Sequence, residues 1–242
     1  MKIRVINPND SDAMRAMIAT SCASVALPQA SIETVCAGAG VASVEGFYDG
    51  ALASAGVLRQ IRLGEQQGCD AYLIACADDT ALHPARELAD GPVIGIGEAA
   101  MHTASLLGCG FSILTAQQKS VRVLERNLRE YGLQDHCLGV HALQTPVLDL
   151  EQHQDPAHFD TLVSHARRVL EQDTSEVLVL GCAGLSPLQP ALQQALNTPV
   201  IDGVRVGLLM LEALVRAGLK TSKKSTYAFA GTIARSSRTV SG

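Results

Sequence analysis

The sequence predicts an α/β fold of two pseudo-symmetric halves, each with a parallel sheet. Short, near-continuous apolar runs alternate with stretches of helical periodicity, as strands do when crossover helices cover both faces of a sheet. The segments around Cys76 and Cys182 echo one another in residue type and order. The 242 residues, 47% hydrophobic and 18% charged, supply a core for two packed units of roughly 100–120 residues each. The expectation is a pair of Rossmann-like domains with the active site in the cleft between them.

In chain order, residues 3–6 form the first strand, followed by the polar turn Asn7-Pro8-Asn9 and a helix over 11–25. A second strand covers 32–36. The next helix spans 47–67, with Leu52, Val57, Leu58 and Ile61 partly in helical register. Residues 71–75 are a strand running into Cys76, then a helix-like stretch, then a strand at 93–96. A helix covers 98–107. Strands are read at 111–115, 139–143, 177–180 and 200–201, with helices at 117–131, 156–170, 187–196 and 204–217. Residues 152–156 read as a surface loop, and the polar tail frays from Arg235.

The internal echo orders these elements. Ile74-Ala75-Cys76-Ala77 is followed by a helix-like stretch and Gly91-Pro92-Val93-Ile94-Gly95. Gly181-Cys182-Ala183-Gly184 is followed by a similar stretch and Thr198-Pro199-Val200-Ile201-Asp202-Gly203. Both copies read strand, cysteine, helix, and then a strand opened by Pro-Val-Ile. This is the pattern of a duplicated unit. It divides the chain into a first half, 1–97 plus 205–242, and a second half, 98–204. No Gly/Ser-rich or charged tract separates them, so they are packed together.

Composition excludes several classes of function. Net charge is −5, and the basic residues cluster only at Lys220, Lys223 and Lys224, so no nucleic acid is expected as partner. No apolar run reaches membrane-spanning length. The N-terminus lacks a signal peptide's apolar region and cleavage site, which predicts a cytoplasmic protein. Seven cysteines, irregularly spaced and with no CxxC pair, are neither a disulfide framework nor a metal site. None of the five lysines lies in the motif cluster, so pyridoxal phosphate has no anchor. The expected cofactor is none, and the expected partner is a small-molecule substrate. The apolar stretch 204–214 predicts a helix buried in the core or in a subunit contact, and with it a homo-oligomer, dimer or larger.

Ligands of open α/β sheets bind at the carboxyl ends of the strands. Cys76 and Cys182 both fall there, each ahead of a helix N-terminus whose backbone N–H groups and dipole lower a thiol pKa. On opposite walls of one cleft, two thiols can act from opposite faces of a carbon, one as thiolate base and the other as thiol acid. Cys22, Cys36, Cys69, Cys109 and Cys137 lack this placement and read as small buried hydrophobes.

The same residues carry a resemblance. Asn7-Pro8-Asn9, Ser43-Val44-Glu45-Gly46, Ala75-Cys76-Ala77-Asp78-Asp79, Gly91-Pro92-Val93-Ile94-Gly95-Ile96, Glu98-Ala99-Ala100, Phe111-Ser112-Ile113-Leu114-Thr115, Leu180-Gly181-Cys182-Ala183-Gly184 and Pro199-Val200-Ile201-Asp202-Gly203-Val204 resemble the hydantoin racemases and the related allantoin racemases of the aspartate/glutamate racemase superfamily. The resemblance covers nearly the whole chain. It implies cofactor-independent racemisation with Cys76 and Cys182 as the catalytic pair. Three positions depart from the family pattern. Asp10 stands where Thr or Ser is usual, Ala77 where Phe is common, and Ala116-Gln117-Gln118 where a Thr-Leu-Pro turn is usual.

Backbone N–H groups of Ala77, Asp78, Asp79, Ala183 and Gly184 are expected to hold ring carbonyls and an enolate oxygen, with contacts added by the hydroxyls of Thr80 and Thr115. The carboxylates of Asp78 and Asp79 read as helix caps. Asn7 reads equally as an Asx-turn residue and as a ligand amide, and Ser43 has the same ambiguity. Beside Ala77, either the pocket is enlarged for a bulky 5-substituent or Phe47 or Tyr48 refills it. An amino-acid racemase of the Asp/Glu type is the alternative activity; no Arg or Lys lies in the strand-end motifs to clamp a free carboxylate. A non-catalytic small-molecule binding protein is the alternative from another class, and it leaves the paired cysteines unexplained.

Overall fold

The computed structural model describes residues 1–152 and 155–229. The first sheet is built from β1 (Lys2–Asn7), β2 (Ser31–Cys36), β3 (Ala71–Ile74) and β4 (Val93–Gly95), with α1 (Asp12–Ala23), α2 (Phe47–Gln66) and α3 (Leu82–Leu88) between them. Next come α4 (Ile96–Leu107) and the second set: β5 (Phe111–Thr115), α5 (Gln118–Glu130), β6 (Cys137–Ala142), α6 (Pro156–Asp173), β7 (Val177–Leu180), α7 (Gln189–Leu196), β8 (Val200–Asp202) and α8 (Gly203–Arg216). The frayed tail expected from Arg235 and residues 153–154 of the expected 152–156 loop lie outside the described residues.

Both sheets are parallel and have the same strand order, β2-β1-β3-β4 and β6-β5-β7-β8. β3 and β7 are therefore equivalent, and each is wholly buried. The register past their ends is also the same. The Ala75 N–H donates to Ile6 O and the Gly181 N–H donates to Leu114 O, both at 2.8 Å, so the next residue, Cys76 or Cys182, leaves its sheet at the same height. The echo read from the sequence is a structural equivalence.

The helices leaving the two sheets exchange places. α4 follows β4 but packs against β7 and β8, and α8 follows β8 but packs against β3 and β4. One continuous buried cluster accordingly contains Ile3, Leu73 and Ile94 of the first sheet with Ile113, Leu178 and Val200 of the second. Close approach is needed where the chains cross. A Cβ on Gly203 would sit 2.1 Å from Ile96 O, and one on Gly97 would sit 2.3 Å from Ala77 O. α8 buries Val204, Gly207, Leu208 and Leu211 in this core, while Leu209 is exposed.

The stretch after Cys76 is shorter as a helix than the echo suggests. Asp79 and Ala81 adopt positive φ, 52° and 62°, so the chain makes a turn and α3 begins only at Leu82. After Cys182 the chain enters a 3-10 helix at Ala183–Leu188 directly.

The close crossing makes a stability prediction. Gly203→Ala forces backbone apart and should cost about 1–3 kcal/mol, lowering the melting temperature by several degrees. Gly50→Ala, in the interior of α2 with open space around its Cβ, should instead raise it slightly through lost unfolded-state freedom. Thermal melts of the two variants check both signs.

Candidate active site

The cleft between the two sheets has about 430 Å³ of atom-free space, open mouth included, and both cysteines line it. Asn7, Ala77, Asp78, Thr115 and Ala183 of the expected set line it with them. Sequence reasoning missed Asn9, Val44, Ser120 and Val147 in the lining. Val147 belongs to a 3-10 helix, Val147–Gln152, in a stretch without a periodic pattern.

The two cysteines are held in the same way. The Asp78 N–H donates to the Cys76 sulfur, and the Gly184 N–H donates to the Cys182 sulfur. Each thiol thus takes a hydrogen bond from the second residue after it, an arrangement that favours a thiolate. Gly184 does not line the cleft; it acts on the sulfur instead of on a ligand. The Asp79 N–H is also taken, donating to Cys76 O at 3.0 Å. Of the expected backbone donors, Ala77 and Ala183 remain. They are equivalent residues, one after each cysteine, and both line the cleft.

The expectation that the helix termini lower the thiol pKa is corrected. Burial raises Cys182 to about 11, with the charges of Asp78 and Glu45 adding to the effect and the Gly184 N–H opposing it. Burial likewise holds Cys76 well above the ordinary thiol range, with further upward pushes from Asp78, Cys182 and Asp79. Desolvation of an anion in the cleft outweighs one N–H bond and a fraction of a helix dipole.

Asp78 and Asp79 have different roles. Asp79 is buried, and its carboxylate accepts the Gly97 and Glu98 N–H groups at 2.9 and 2.7 Å and the Tyr131 hydroxyl at 2.6 Å. It caps α4, not the helix that follows it, and it does not line the cleft. Burial still pushes it up to about 7. Asp78 lines the cleft and is also raised to about 7 by burial, with Arg126 opposing and Asp49 reinforcing the shift. Its carbonyl accepts from Asn127 Nδ2 at 3.1 Å. Asn127 and Tyr131, from the α5 region of the second half, thus grip the Cys76 turn of the first.

The remaining expected residues separate. The Asn7 side-chain amide donates to Asn9 Oδ1 at 2.6 Å and to Ser11 O at 3.3 Å, so it fixes the Asn-Pro-Asn turn. Thr115 Oγ1 donates to Gly181 O at 2.9 Å, bracing the strand end before Cys182. Ser43 donates to Glu45 at 3.0 Å and Thr80 is buried, and neither lines the cleft; their neighbour Val44 does. Asp10 receives a reason. Its two carboxylate oxygens each accept an N–H, from Gly38 and Gly40, at 2.6 Å. This pins the 37–46 loop that brings Val44 over the cleft. Phe47 and Tyr48 do not refill the space beside Ala77, since both rings are exposed.

Among the described residues no Lys or Arg lines the cleft, and no group of three His, Cys, Asp or Glu is placed to hold a metal ion. No described helix is long and apolar enough to cross a membrane.

Comparison with known proteins agrees with this geometry. The family model described as Asp/Glu/Hydantoin racemase matches residues 3–211. A hydantoin racemase of Rhizobium meliloti is 43% identical over 230 residues, 95% of each chain. The structure of an allantoin racemase from Klebsiella pneumoniae superposes with a TM-score of 0.93 at 43% identity, covering 98% of this chain and 97% of the other. That of an allantoin racemase from Pseudomonas fluorescens does so with a TM-score of 0.91 at 33% identity, covering 97% and 99%.

The electrostatics predict a shift in thiol reactivity. Asp78→Asn removes a charge that raises both thiols. Alkylation by iodoacetamide should therefore reach half its maximal rate at a lower pH, with Cys76 moving more than Cys182. Peptide mapping of the alkylated sites across a pH series measures it, and an unchanged profile contradicts the assignment.

Proposed function

The chain belongs to the Asp/Glu/hydantoin racemase family, and we propose that Cys76 and Cys182 are its two catalytic bases, inverting the C5 stereocentre of a 5-substituted hydantoin or of allantoin. The observation that carries this reading is the matched pair of cysteines, at equivalent strand ends on the two walls of one cleft, each with an N–H on its sulfur.

The C5–H of such a ring lies beside a carbonyl, so its removal leaves an enolate delocalised into the ring. One cysteine, as thiolate, takes the proton from one face. The other, as thiol, returns a proton to the opposite face. Ala77 and Ala183 supply the free N–H donors for ring carbonyls and the enolate oxygen. The pseudo-symmetry suits a reaction in which substrate and product are mirror images at the reacting carbon, because each thiol plays both roles in turn. Neither an electron-sink cofactor nor a metal is needed for this carbon acid, and cofactor-independent catalysis is part of the proposal. A cytoplasmic enzyme is proposed with it.

Both thiols sit above the ordinary range, so the reactive thiolate is scarce at neutral pH. The ratio kcat/KM should rise from pH 7 to 9 as the thiolate fraction grows, and fall once the partner thiol also ionises. Cys76→Ser and Cys182→Ser should each abolish racemisation, because a serine hydroxyl is too weak an acid to stand in for a thiolate. Each variant should still exchange the C5 proton for deuterium with retention, the two preferring opposite enantiomers. Polarimetry and proton NMR in deuterated water read this; near-wild-type racemisation in either variant, or one enantiomer shared by both, sinks the two-base assignment. Replacing Cys22, Cys36, Cys69, Cys109 or Cys137 with Ala should leave the rate of folded enzyme little changed.

A homo-oligomer, dimer or larger, accompanies the proposal. Phe47, Tyr48 and Leu52 near the start of α2 are 58%, 75% and 48% exposed, an apolar surface of the kind that subunit contacts cover. Sedimentation at micromolar concentration should give at least twice the chain mass, and a monomer contradicts it.

A further inference from the structure

We propose that the Asp78 carboxylate determines substrate class by accepting a ring N–H of a neutral cyclic ureide, and that the same group turns away free amino acids. The proposal rests on the racemase reading of this cleft and deepens it.

Asp78 lines the cleft, and its carboxylate lies near enough to both sulfurs to act on each. Its backbone is fully used, the N–H by the Cys76 sulfur and the carbonyl by Asn127. The backbone turn therefore fixes where the side chain starts, and only the carboxylate is left to meet a ligand. Among the described residues no hydrogen-bond donor reaches the carboxylate, in contrast to Asp79, which accepts three. The positive charge that acts on it is Arg126. Arg126 Nη2 donates to Asn127 Oδ1 at 3.1 Å, and its guanidinium lies over the Phe47 ring at 5.3 Å. Among the described residues Arg126 forms no ion pair with Asp78.

Lining the cleft without a protein donor among the described residues, this nine-tenths-buried carboxyl group is left open to one that a ligand brings. A hydantoin or allantoin ring carries N–H groups on the atoms flanking its carbonyls, so a ring whose C5 sits between the two sulfurs can present one to Asp78. A free amino acid brings a carboxylate into a cleft that already holds one and, among the described residues, is lined by no Lys or Arg. Like charges at close range in low dielectric strongly disfavour it.

The test separates recognition from turnover by using 5,5-dimethylhydantoin, which has no C5–H, and its N1-methyl and N3-methyl derivatives. Binding to the full-length protein is measured by calorimetry at pH 8.5. The wild type should bind the parent and lose tenfold or more on methylation of one of the two nitrogens, the size expected for a hydrogen bond to a charged group. Asp78→Ala should weaken parent binding by a similar factor and erase the difference between parent and that methyl derivative. Asp78→Asn, which keeps the side-chain shape and one acceptor oxygen, should lie between. Equal binding of all three ligands by the wild type, or a methylation penalty that survives Asp78→Ala, overturns the proposal. So does racemisation of free aspartate or glutamate by the wild type. C5–H exchange by the wild type with a penalty insensitive to Asp78 overturns this proposal alone. The expected binding pattern without C5–H exchange overturns the racemase reading alone.

Discussion

The Asp79 carboxylate joins three pieces of the molecule that are far apart in sequence. It sits in the turn after Cys76, caps the first turn of α4 through the Gly97 and Glu98 N–H groups, and accepts the Tyr131 hydroxyl from the second half. Gly95 and Gly97 have no Cβ because the Asp79 side chain and the Ala77 carbonyl fill that space. The positive φ at Asp79 follows, since an aspartate tolerates the left-handed region where most residues do not. With this bond in place, Cys76, the α4 crossover and the wall contributed by α5 have one relative position, and a cleft of fixed width results.

The second half reaches the same geometry by other means. Asp202 caps α8 itself, through the Val204 N–H at 3.0 Å, and is braced by Ser186. No carboxylate stands near Cys182 from its own turn, where Gly184 takes the place that Asp78 has in the first half. The two thiols therefore share a hydrogen-bonding pattern but differ in electrostatic surroundings, Cys76 facing two carboxyl groups from its own turn.

Burial decides the protonation state of the site. Removal of water strengthens each hydrogen bond in the cleft, and the same removal makes a resting thiolate expensive. The structure shows both sides of this exchange. Both sulfurs carry N–H donors, and both thiols are nonetheless raised. Asp10, by holding the Gly38 and Gly40 N–H groups, keeps the Val44 loop over the cleft and so helps maintain the exclusion.

The sequence by itself determined the eight strands, their parallel arrangement, the duplication and the pairing of Cys76 with Cys182. These depend on local apolar periodicity and on a motif that recurs at the same distance from a strand end, so they can be read along the chain. It also brought Asn7, Ala77, Asp78, Thr115 and Ala183 to the cleft, because they lie at or beside strand ends. Tertiary structure alone decided that Asp79 caps α4 and not α3, that Gly184 serves a sulfur, and that Ser43 and Thr80 stay off the cleft wall. It also made burial outweigh the helix termini in setting the thiols. Each of these turns on partners distant in sequence, Tyr131 and Asn127 for the Cys76 turn and the opposite half for desolvation. A hydrogen bond is satisfied by whichever donor the fold brings within reach, and a charge is penalised by how much water the fold removes; neither is a property of neighbouring letters.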